Sequence, residues 1–324
     1  MFSLTPMDAI VVAEERVRNW TSGILYLIHL GLTELPELPE GVLHVYCYGN
    51  KLTTLPDTLP ASLVTLDCAD NQLTALPNTL PAGLQDLDCA RNDLTTLPDT
   101  LPAGLTRLDC YANRLTALPN TLPAGLRSLS CHRNRLTTLP DTLPVSLKKL
   151  VCSHNRITRI PETLPAGLNE FDCGYNHLTR LPDTLPADLR WFYCQHNQLL
   201  TLPYTLPPAL KMFHCNSNRL TTLPDTLPAG LTLLYCGHNW LTTLPKTLPD
   251  GLITFLYSHN AFPDLEYNES RYEHIHRVNA IAEAASQERI TQRCAVFFEE
   301  LAQKVWHPSR VERLMLAGVD MEEM

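Results

Sequence analysis

The sequence predicts a solenoid of stacked turns, with a parallel β-sheet on the concave face, an extended, polyproline-like convex side and α-helical caps at both ends. Three observations predict it. Asparagine recurs every 21 residues without an insertion, cysteine recurs on the same period three residues earlier, and Leu-Pro pairs return in each turn. A fixed period of this length is typical of repeat proteins, in which each turn contacts only its neighbours. The repeated asparagines are Asn50, Asn71, Asn92, Asn113, Asn134, Asn155, Asn176, Asn197, Asn218, Asn239 and Asn260.

Residues 1–23 are predicted to form an N-terminal helical cap, because the end turn of a solenoid otherwise exposes its core. The helix is expected over residues 5–19, with Thr5 as its N-cap and Pro6 at its first position. The side chains expected to pack over the first turn are Ile10, Val11, Val17 and Trp20.

Residues 24–265 are predicted to form about twelve turns of 21 residues, including a leading turn that is one residue shorter. In the turn around Asn71, apolar and variable residues alternate, which is typical of a strand with one buried face. Leu66 and Cys68 are expected to point inward, whereas Thr65 and Asp67 point outward. Asn71 ends the strand and is expected to satisfy backbone groups there.

The second half of each turn is predicted to be extended rather than helical. In this turn Pro77 and Pro81 remove backbone donors and restrict φ. Leu73, Leu76 and Leu80 then close the core from the convex side. The conformational entropy lost in ordering one turn costs more free energy than the burial of its few leucines contributes. The turns are therefore expected to be stable only when stacked.

The pattern L-x-x-L-x-C-x-x-N-x-L-T-x-L-P resembles the leucine-rich repeat. Twin Leu-Pro pairs in so short a turn are similar to the bacterial LPX subclass, which forms the repeat regions of YopM-type and IpaH/SspH-type effectors. The resemblance covers about residues 24–265 and implies a host-directed effector of a bacterium or a virus that binds proteins. The repeated cysteine departs from the family, which more often has Val, Leu or Ile at that position.

Two columns are predicted to be structural. The asparagines are expected to stack into a continuous hydrogen-bonded column of amides, and the cysteines to act as small buried hydrophobes. The structural residues so assigned are Asn71, Asn92, Asn113, Asn134, Asn155, Cys68, Cys89, Cys110 and Cys131. Unbridged cysteines imply a reducing compartment, so we expect a cytoplasmic protein, either in its own cell or in a host cytoplasm or nucleus.

Residues 266–324 are predicted to form a C-terminal cap or docking module of three short helices. Two apolar stripes at helical spacing precede a break at residues 307–309, after which residues 310–317 are expected to restart a helix. The first stripe contains Tyr272, Ile275, Val278, Ile281 and Ala285, and the second contains Ile290, Cys294, Phe297, Leu301 and Val305. Residues 306–311 weakly resemble tails of proteins from large nucleocytoplasmic viruses.

No motif in the sequence indicates catalysis, and we predict a protein that is not an enzyme. The IpaH/SspH-type ligases have a Cys-x-Asp nucleophile motif, whereas Cys294 is followed by Ala295 and Val296. No cofactor, small-molecule substrate or metal is expected, since metal-ligand spacings such as C-x-x-C are absent. A net charge of −9 makes nucleic acid an unexpected partner, and no apolar run is long enough to span a membrane.

The outward strand positions divide into three candidate binding zones on the concave face. An acidic zone contains Asp67, Asp88 and Asp109, a basic zone contains Arg107 and Arg133, and an aromatic zone contains Tyr175, Trp191, Tyr193, His196, His214, Tyr235 and His238. The aromatic zone is the preferred contact surface, because Trp and Tyr are enriched at binding hot spots. The aspartates, in contrast, are also explained by copying during repeat duplication.

We therefore predict a non-catalytic scaffold that binds a partner protein on its concave face. The alternative is a substrate-recognition subunit or adaptor of a ubiquitin ligase, which recruits the ligase through residues 266–324. A third reading is a structural or adhesive protein that has no discrete partner and tolerates deletion of whole turns.

Overall fold

The computed structural model describes residues 6–263, 266 and 269–305, and these residues form one parallel sheet of twelve strands and two helices. The helices are α1 (Pro6–Arg18) and α2 (Arg271–Val305). The strands are β1 (Ile24–Tyr26), β2 (His44–Tyr46), β3 (Thr65–Asp67), β4 (Asp86–Asp88), β5 (Arg107–Asp109), β6 (Ser128–Ser130), β7 (Lys149–Val151), β8 (Glu170–Asp172), β9 (Trp191–Tyr193), β10 (Met212–His214), β11 (Leu233–Tyr235) and β12 (Thr254–Leu256). The predicted solenoid with a helix near each end is confirmed.

Each strand pairs in parallel with the next strand along the chain, so the sheet order is the sequence order. The register follows the repeat: Leu108 pairs with Leu129 and Leu129 pairs with Leu150. The first pair, β1 with β2, aligns Leu25 with Val45 across a turn that is one residue shorter. Because the period never changes after that, equivalent residues of successive turns form straight columns.

The core of the repeats lies behind the sheet. The middle residue of each strand and the cysteine that follows the strand are buried, whereas the first and third strand positions face outward. In β8, β9 and β10 the buried middle residue is phenylalanine, and the ring centroids of Phe171, Phe192 and Phe213 lie 5.6 and 5.4 Å apart. On the other side of the core, Leu73 and Leu76 are buried as predicted.

The asparagines connect the backbones of successive turns. The Nδ2 of Asn113 donates hydrogen bonds to the carbonyl oxygens of Cys89 (3.0 Å) and Cys110 (3.1 Å). Its Oδ1 accepts a hydrogen bond from the backbone N–H of Leu94 (3.0 Å). The prediction of an amide-to-amide column is therefore wrong. Each amide bonds instead to backbone groups that the short strands leave unpaired, in its own turn and in the preceding one.

The residue before each repeated asparagine has a left-handed backbone conformation, which the sequence analysis missed. These residues are Gly49, Asp70, Arg91, Ala112, Arg133, His154, Tyr175, His196, Ser217, His238 and His259. His29, which precedes Leu30 in the leading turn, has the same conformation. The left-handed residue reverses the chain after the strand and directs the asparagine into the core. Side chains other than glycine occupy this conformation at a cost of about 1 kcal/mol each.

Helix α1 contacts the first strand through small residues. Ala9 and Ala13, one helical turn apart, are fully buried, and Arg16 donates a hydrogen bond of 2.8 Å from Nη1 to the carbonyl oxygen of Tyr26. Ile10, Val17 and Trp20 are half-buried, but Val11 is 57% exposed, so its predicted packing over the first turn is wrong. Because alanine is small, the backbone of α1 can approach the first turn closely. Hydrophobicity alone did not indicate that the alanine face of the helix would be the buried one.

Helix α2 forms a second compact unit together with residues 242–246. Ser270 and Glu273 form a capping box at its start, in which the N–H of Ser270 donates to Oε2 of Glu273 (2.8 Å) and the N–H of Glu273 to Oγ of Ser270 (3.2 Å). Asn279 accepts a hydrogen bond from the N–H of Leu244 and donates one to its carbonyl oxygen, both at 3.0 Å. These bonds hold residues 242–246 to the first half of the helix.

The two apolar stripes predicted on separate short helices lie on this one helix of 35 residues. No proline or glycine interrupts residues 271–305, so nothing in the sequence ends the helix between the stripes. Ile275 and Val278 are buried, but Tyr272 is 69% and Phe297 60% exposed. The predicted break at residues 307–309, the helix restart at 310–317 and the segment 306–311 lie outside the described residues.

Candidate interaction surface

The outward residues of the sheet form columns along the repeats. We distinguish the column of first strand positions, the column of third strand positions and the left-handed column, which is made of the residues before the asparagines. Because adjacent strands lie about 4.8 Å apart, side chains in one column contact their equivalents in the next turn. The chemistry of the surface is therefore decided by which residues succeed one another in a column.

The acidic zone is a real cluster at β3–β5. Asp67, Asp88 and Asp109 are register partners in the column of third strand positions, and Asp86 lies in the column of first strand positions. Oδ1 of Asp67 accepts a hydrogen bond from the N–H of Ala69 (3.1 Å), and Oδ1 of Asp88 accepts one from the N–H two residues further on (3.0 Å). The aspartates thus also help to end their strands.

Partial burial, with a smaller contribution from Asp67 and Asp109, raises the pKa of Asp88 to about 6. The backbone N–H of Ala90 and the guanidinium of Arg107 oppose this rise but do not cancel it. Burial also raises the pKa values of Asp67 and Asp86. Asp88 therefore takes up its proton at a higher pH than an ordinary aspartate.

The predicted basic zone is largely neutralised by neighbouring acids. Nε of Arg107 donates a hydrogen bond of 3.0 Å to Oδ2 of Asp109, and Nη1 lies 3.7 Å from Oδ2 of Asp86, so Arg107 belongs to the acidic cluster. The nearby ion pairs are Arg114 with Asp93 at 2.7 Å and Lys149 with Glu170 at 2.9 Å. Arg133 lies in the left-handed column and is exposed. The structure therefore does not bring Arg107 and Arg133 together as one basic surface.

The aromatic zone contains two columns of rings in contact, edge-on or tilted in one column and stacked in the other. In the column of third strand positions, His214 lies between Tyr193 and Tyr235, with ring centroids 4.9 and 4.3 Å apart. In the left-handed column, Tyr175 stacks on His196 at 4.2 Å. The remaining predicted residues are Trp191, in the column of first strand positions, and His238, in the left-handed column.

Sequence reasoning missed several rings that extend these columns. His154 stacks on Tyr175 at 4.1 Å, and His259 stacks on His238 at 4.3 Å. Tyr111 and His132 stack at 4.5 Å in a neighbouring column of residues two before the asparagine. The repeat pattern could have revealed these rings, because each lies a fixed number of residues before the asparagine of its turn.

Burial favours the neutral form of His196 and His214. Burial lowers the pKa of His214, and burial together with His154 and His238 lowers the pKa of His196. Nε2 of His214 and Nδ1 of His132 are buried and have no hydrogen-bond partner among the described residues. Neutral imidazoles stack on tyrosine rings without the cost of burying a charge.

The eleven cysteines are free thiols; ten are buried in the core of the repeats, and Cys294 is exposed on α2. Burial raises the pKa of Cys131 to about 12 and that of the other ladder thiols also well above the ordinary value. The ladder cysteines are thus buried hydrophobic side chains of the core, and their reduced state in solution stays a prediction.

Within residues 6–263, 266 and 269–305, no three or more His, Cys, Asp or Glu side chains are grouped so that they could hold a metal ion. Neither helix in this part of the chain has the length and apolar character needed to cross a membrane.

Comparison with known proteins assigns the fold but not a family of established activity. Neither a family model nor a curated protein matches the chain. Among solved structures it is similar to YopM, a leucine-rich effector protein from Yersinia pestis, with 28% identity, a TM-score of 0.54, and coverage of 79% of this chain and 90% of that one. The functional domain of InlJ from Listeria monocytogenes, which includes a cysteine ladder, is 30% identical with a TM-score of 0.68 over 72% of this chain. This chain spans about half, 53%, of the InlJ domain.

The leucine-rich-repeat protein FLRT2, solved in an octameric complex with Latrophilin 3 and Unc5D, is 21% identical with a TM-score of 0.59, covering 73% of this chain and 90% of that one. The predicted leucine-rich-repeat fold is confirmed. Similar repeat domains include effectors and components of protein complexes, whereas the resemblance to viral tails receives no support.

Proposed function

We propose that this chain is a non-catalytic scaffold that binds a folded partner protein on the concave face of its sheet, through the aromatic zone. The observation that carries the proposal is the pair of columns of Tyr and His rings in contact with one another, next to Trp191, on partly exposed positions of consecutive turns. Tyr175, for example, is 41% exposed although it stacks on both sides.

Stacked rings are suited to binding because they are already ordered. Tyr and Trp supply large contact areas with few rotatable bonds, and their neighbours in the column restrict them further. Ordering such a surface on binding therefore costs little conformational entropy. Their hydroxyl and imidazole groups remain available for polar contacts at the edge of the interface.

A non-catalytic role is supported by the chemistry of the candidate nucleophiles. The ladder cysteines are buried, and their raised pKa values keep the thiol protonated, whereas nucleophilic cysteines need the thiolate. Cys294 is exposed and is followed by Ala295 and Val296, not by the aspartate of the ligase motif.

The likeness to YopM supports a host-directed effector role, and the free buried thiols support a reducing compartment such as the cytoplasm. Both are part of the proposal. The adaptor role for residues 266–324 stays a prediction, since none of the described contacts favours it.

The test is affinity capture from host lysate with the wild type and with the variant Trp191→Ala, Tyr193→Ala, Tyr235→Ala. We expect the wild type to retain at least one partner that the variant loses. Truncating hot-spot aromatics costs about 2 kcal/mol or more each, so losing three of them removes a micromolar interaction.

The matched control is Tyr204→Ala, Trp240→Ala, Tyr272→Ala, which removes the same three ring types from exposed positions outside the aromatic zone. It is expected to keep the partner. Recovery of identical partners by both triple variants would show that the aromatic zone is not the contact surface.

A further inference from the structure

A row of positive charges crosses the sheet immediately before the strands, outside the zones that the sequence analysis defined. Arg127 precedes β6, Lys148 precedes β7, Arg190 precedes β9 and Lys211 precedes β10, with Asn169 between them before β8. We call these four cations the basic stripe. All four side chains are exposed.

Backbone hydrogen bonds hold the stripe in a straight line. The carbonyl oxygen of Arg127 accepts from the N–H of Lys148 at 2.8 Å, and the carbonyl oxygen of Arg190 accepts from the N–H of Lys211 at 2.9 Å. Asn169 joins the two halves, with bonds of 2.9 Å on each side. Four strand spacings of about 4.8 Å place the ends of the stripe about 19 Å apart.

The charge is confined to these central turns. The residues that precede the other strands, from β1 to β5 and at β11 and β12, are all uncharged: Gly23, Leu43, Val64, Gln85, Thr106, Thr232 and Ile253. Copying of a single repeat would have placed the same residue before each strand. These positions hold two arginines and two lysines instead, so duplication alone does not explain the charge.

The stripe cations have no ion pair within the described part of the chain. Glu170, in the strand that follows Lys148 and Lys149, pairs with Lys149 at 2.9 Å. Arg127 with Lys148, and Arg190 with Lys211, are like charges at strand spacing, and each pair repels even in water. An anionic partner would remove this repulsion, whereas the protein itself does not.

An apolar column runs beside the stripe. Trp191, Met212 and Leu233 are register partners in the column of first strand positions, and each is half-buried. Arg190 and Lys211 are directly followed by the first two of these residues. A partner on this surface therefore meets cations in one column and apolar side chains in the next.

We propose that the basic stripe and this apolar column bind an extended acidic segment of the partner protein, one that carries apolar as well as acidic side chains. This inference rests on the proposed scaffold function. An extended chain advances about 3.4 Å per residue, so a segment of about six residues spans the stripe. The net charge of −9 and the acidic cluster on the same sheet disfavour a long polyanion such as nucleic acid.

The test measures binding of a fluorescein-labelled peptide of about twelve residues, rich in Asp and Glu and containing Leu, by fluorescence anisotropy. The variant Arg127→Thr, Lys148→Thr, Arg190→Thr, Lys211→Thr replaces each cation with the residue found at this position before β5 and β11, so the fold is expected to tolerate it. We expect its affinity to be at least about tenfold lower, and the wild-type affinity to fall as salt is raised.

The matched control is Lys51→Gln, Arg135→Gln, Arg156→Gln, Arg219→Gln. It removes the same charge from exposed positions directly after the asparagines, where Gln72 and Gln198 occur in other turns. This control is expected to bind the peptide within about twofold of the wild type. Circular dichroism checks that both variants are folded.

Three results would overturn the inference: no binding of the peptide to the wild type, an equal loss of affinity in both quadruple variants, or tighter binding of a single-stranded oligonucleotide of the same charge.

The stripe variant is also used in the lysate capture. If it keeps the partner that the aromatic variant loses, the scaffold function stands and the acidic-segment inference fails. If the wild type captures no partner, the scaffold function itself fails.

Discussion

The side-chain amide of Asn134 donates a hydrogen bond of 3.0 Å to the carbonyl oxygen of Cys110, 24 residues earlier in the chain. The same amide donates to the carbonyl oxygen of Cys131 in its own turn (3.1 Å) and accepts from the N–H of Leu115 (2.9 Å). One buried side chain thus ties together the backbones of two turns. Repetition of this arrangement makes the turns cooperative, because no turn can open without breaking bonds in its neighbour.

Replacing Asn134 with alanine is expected to lower the free energy of unfolding by about 2–4 kcal/mol, because three backbone groups in the core lose their partner. Urea denaturation followed by circular dichroism measures the change. The control is Asn120→Ala at an exposed position, which is expected to change stability by less than about 0.5 kcal/mol. Similar effects of the two substitutions would contradict the role of the asparagine.

The thiols are expected to react in two classes. In the native protein only Cys294 is exposed, so a thiol reagent should label one group quickly and the ten ladder cysteines slowly. Unfolding in denaturant without reductant should expose all eleven. A smaller number after unfolding would indicate disulfides and would exclude the reduced core. The Cys294→Ser variant should lose the fast class alone.

The stability of the repeats is expected to depend on the protonation of Asp88. Its pKa of about 6 in the folded state exceeds its ordinary value of 3.8, so the folded protein binds this proton more tightly than the unfolded chain does. The resulting stabilisation is fully present below the ordinary pKa and is lost as pH rises through about 6.

The Asp88→Asn substitution removes this dependence but keeps the oxygen that accepts from Ala90. We expect the variant to be more stable than the wild type by about 1 kcal/mol at pH 7.5, a figure reduced for the partial exposure of the carboxylate, and equally stable near pH 3.5. Thermal unfolding across this pH range measures the difference. Asp99→Asn, at an exposed position, is the control, and a difference independent of pH would refute the explanation.

The phenylalanine stack is expected to carry much of the stability of β8–β10. Phe192 is fully buried between Phe171 and Phe213, so Phe192→Ala should cost about 3–5 kcal/mol through lost burial and a cavity. Phe192→Leu is the matched control, because leucine occupies the same position in β3–β7, and it should cost less than half as much. Equal costs would contradict burial as the source of this stability, because leucine restores most of the buried apolar volume.

Much of the fold could be predicted because the same sequence pattern recurs in every turn, so that the structure expected for one turn applies to the whole solenoid. The alternation around Leu66 and Cys68 showed which face of the strand is buried, and the constant spacing of Asn71 and its equivalents implied an in-register parallel sheet. Outside the repeats, the burial of individual helical side chains was not always predicted correctly. Val11 on α1 and Tyr272 on α2 were predicted to be packed and are exposed, because in a single helix several faces are similarly apolar.

The candidate surface could be predicted only in part. The columns follow from the period, so the neighbours Tyr193, His214 and Tyr235 were correctly grouped. The left-handed column was not foreseen, because positive φ is uncommon for residues other than glycine, such as Tyr175 and Arg133, and the repeat pattern does not mark it. The basic stripe was missed because its position directly before the strand was not recognised as part of the outward surface.

The sequence by itself determined the repeat, the direction and register of the strands and the composition of the core. These depend on periodicity, and a period of 21 residues allows one way of stacking equivalent residues. Only the tertiary structure decided which charges neutralise each other, as Arg107 and Asp109 do, and which have no ion pair among the described residues, as is the case for Arg190. Ion pairing and backbone handedness depend on distances and angles between atoms in different turns, and the order of residues alone does not specify them.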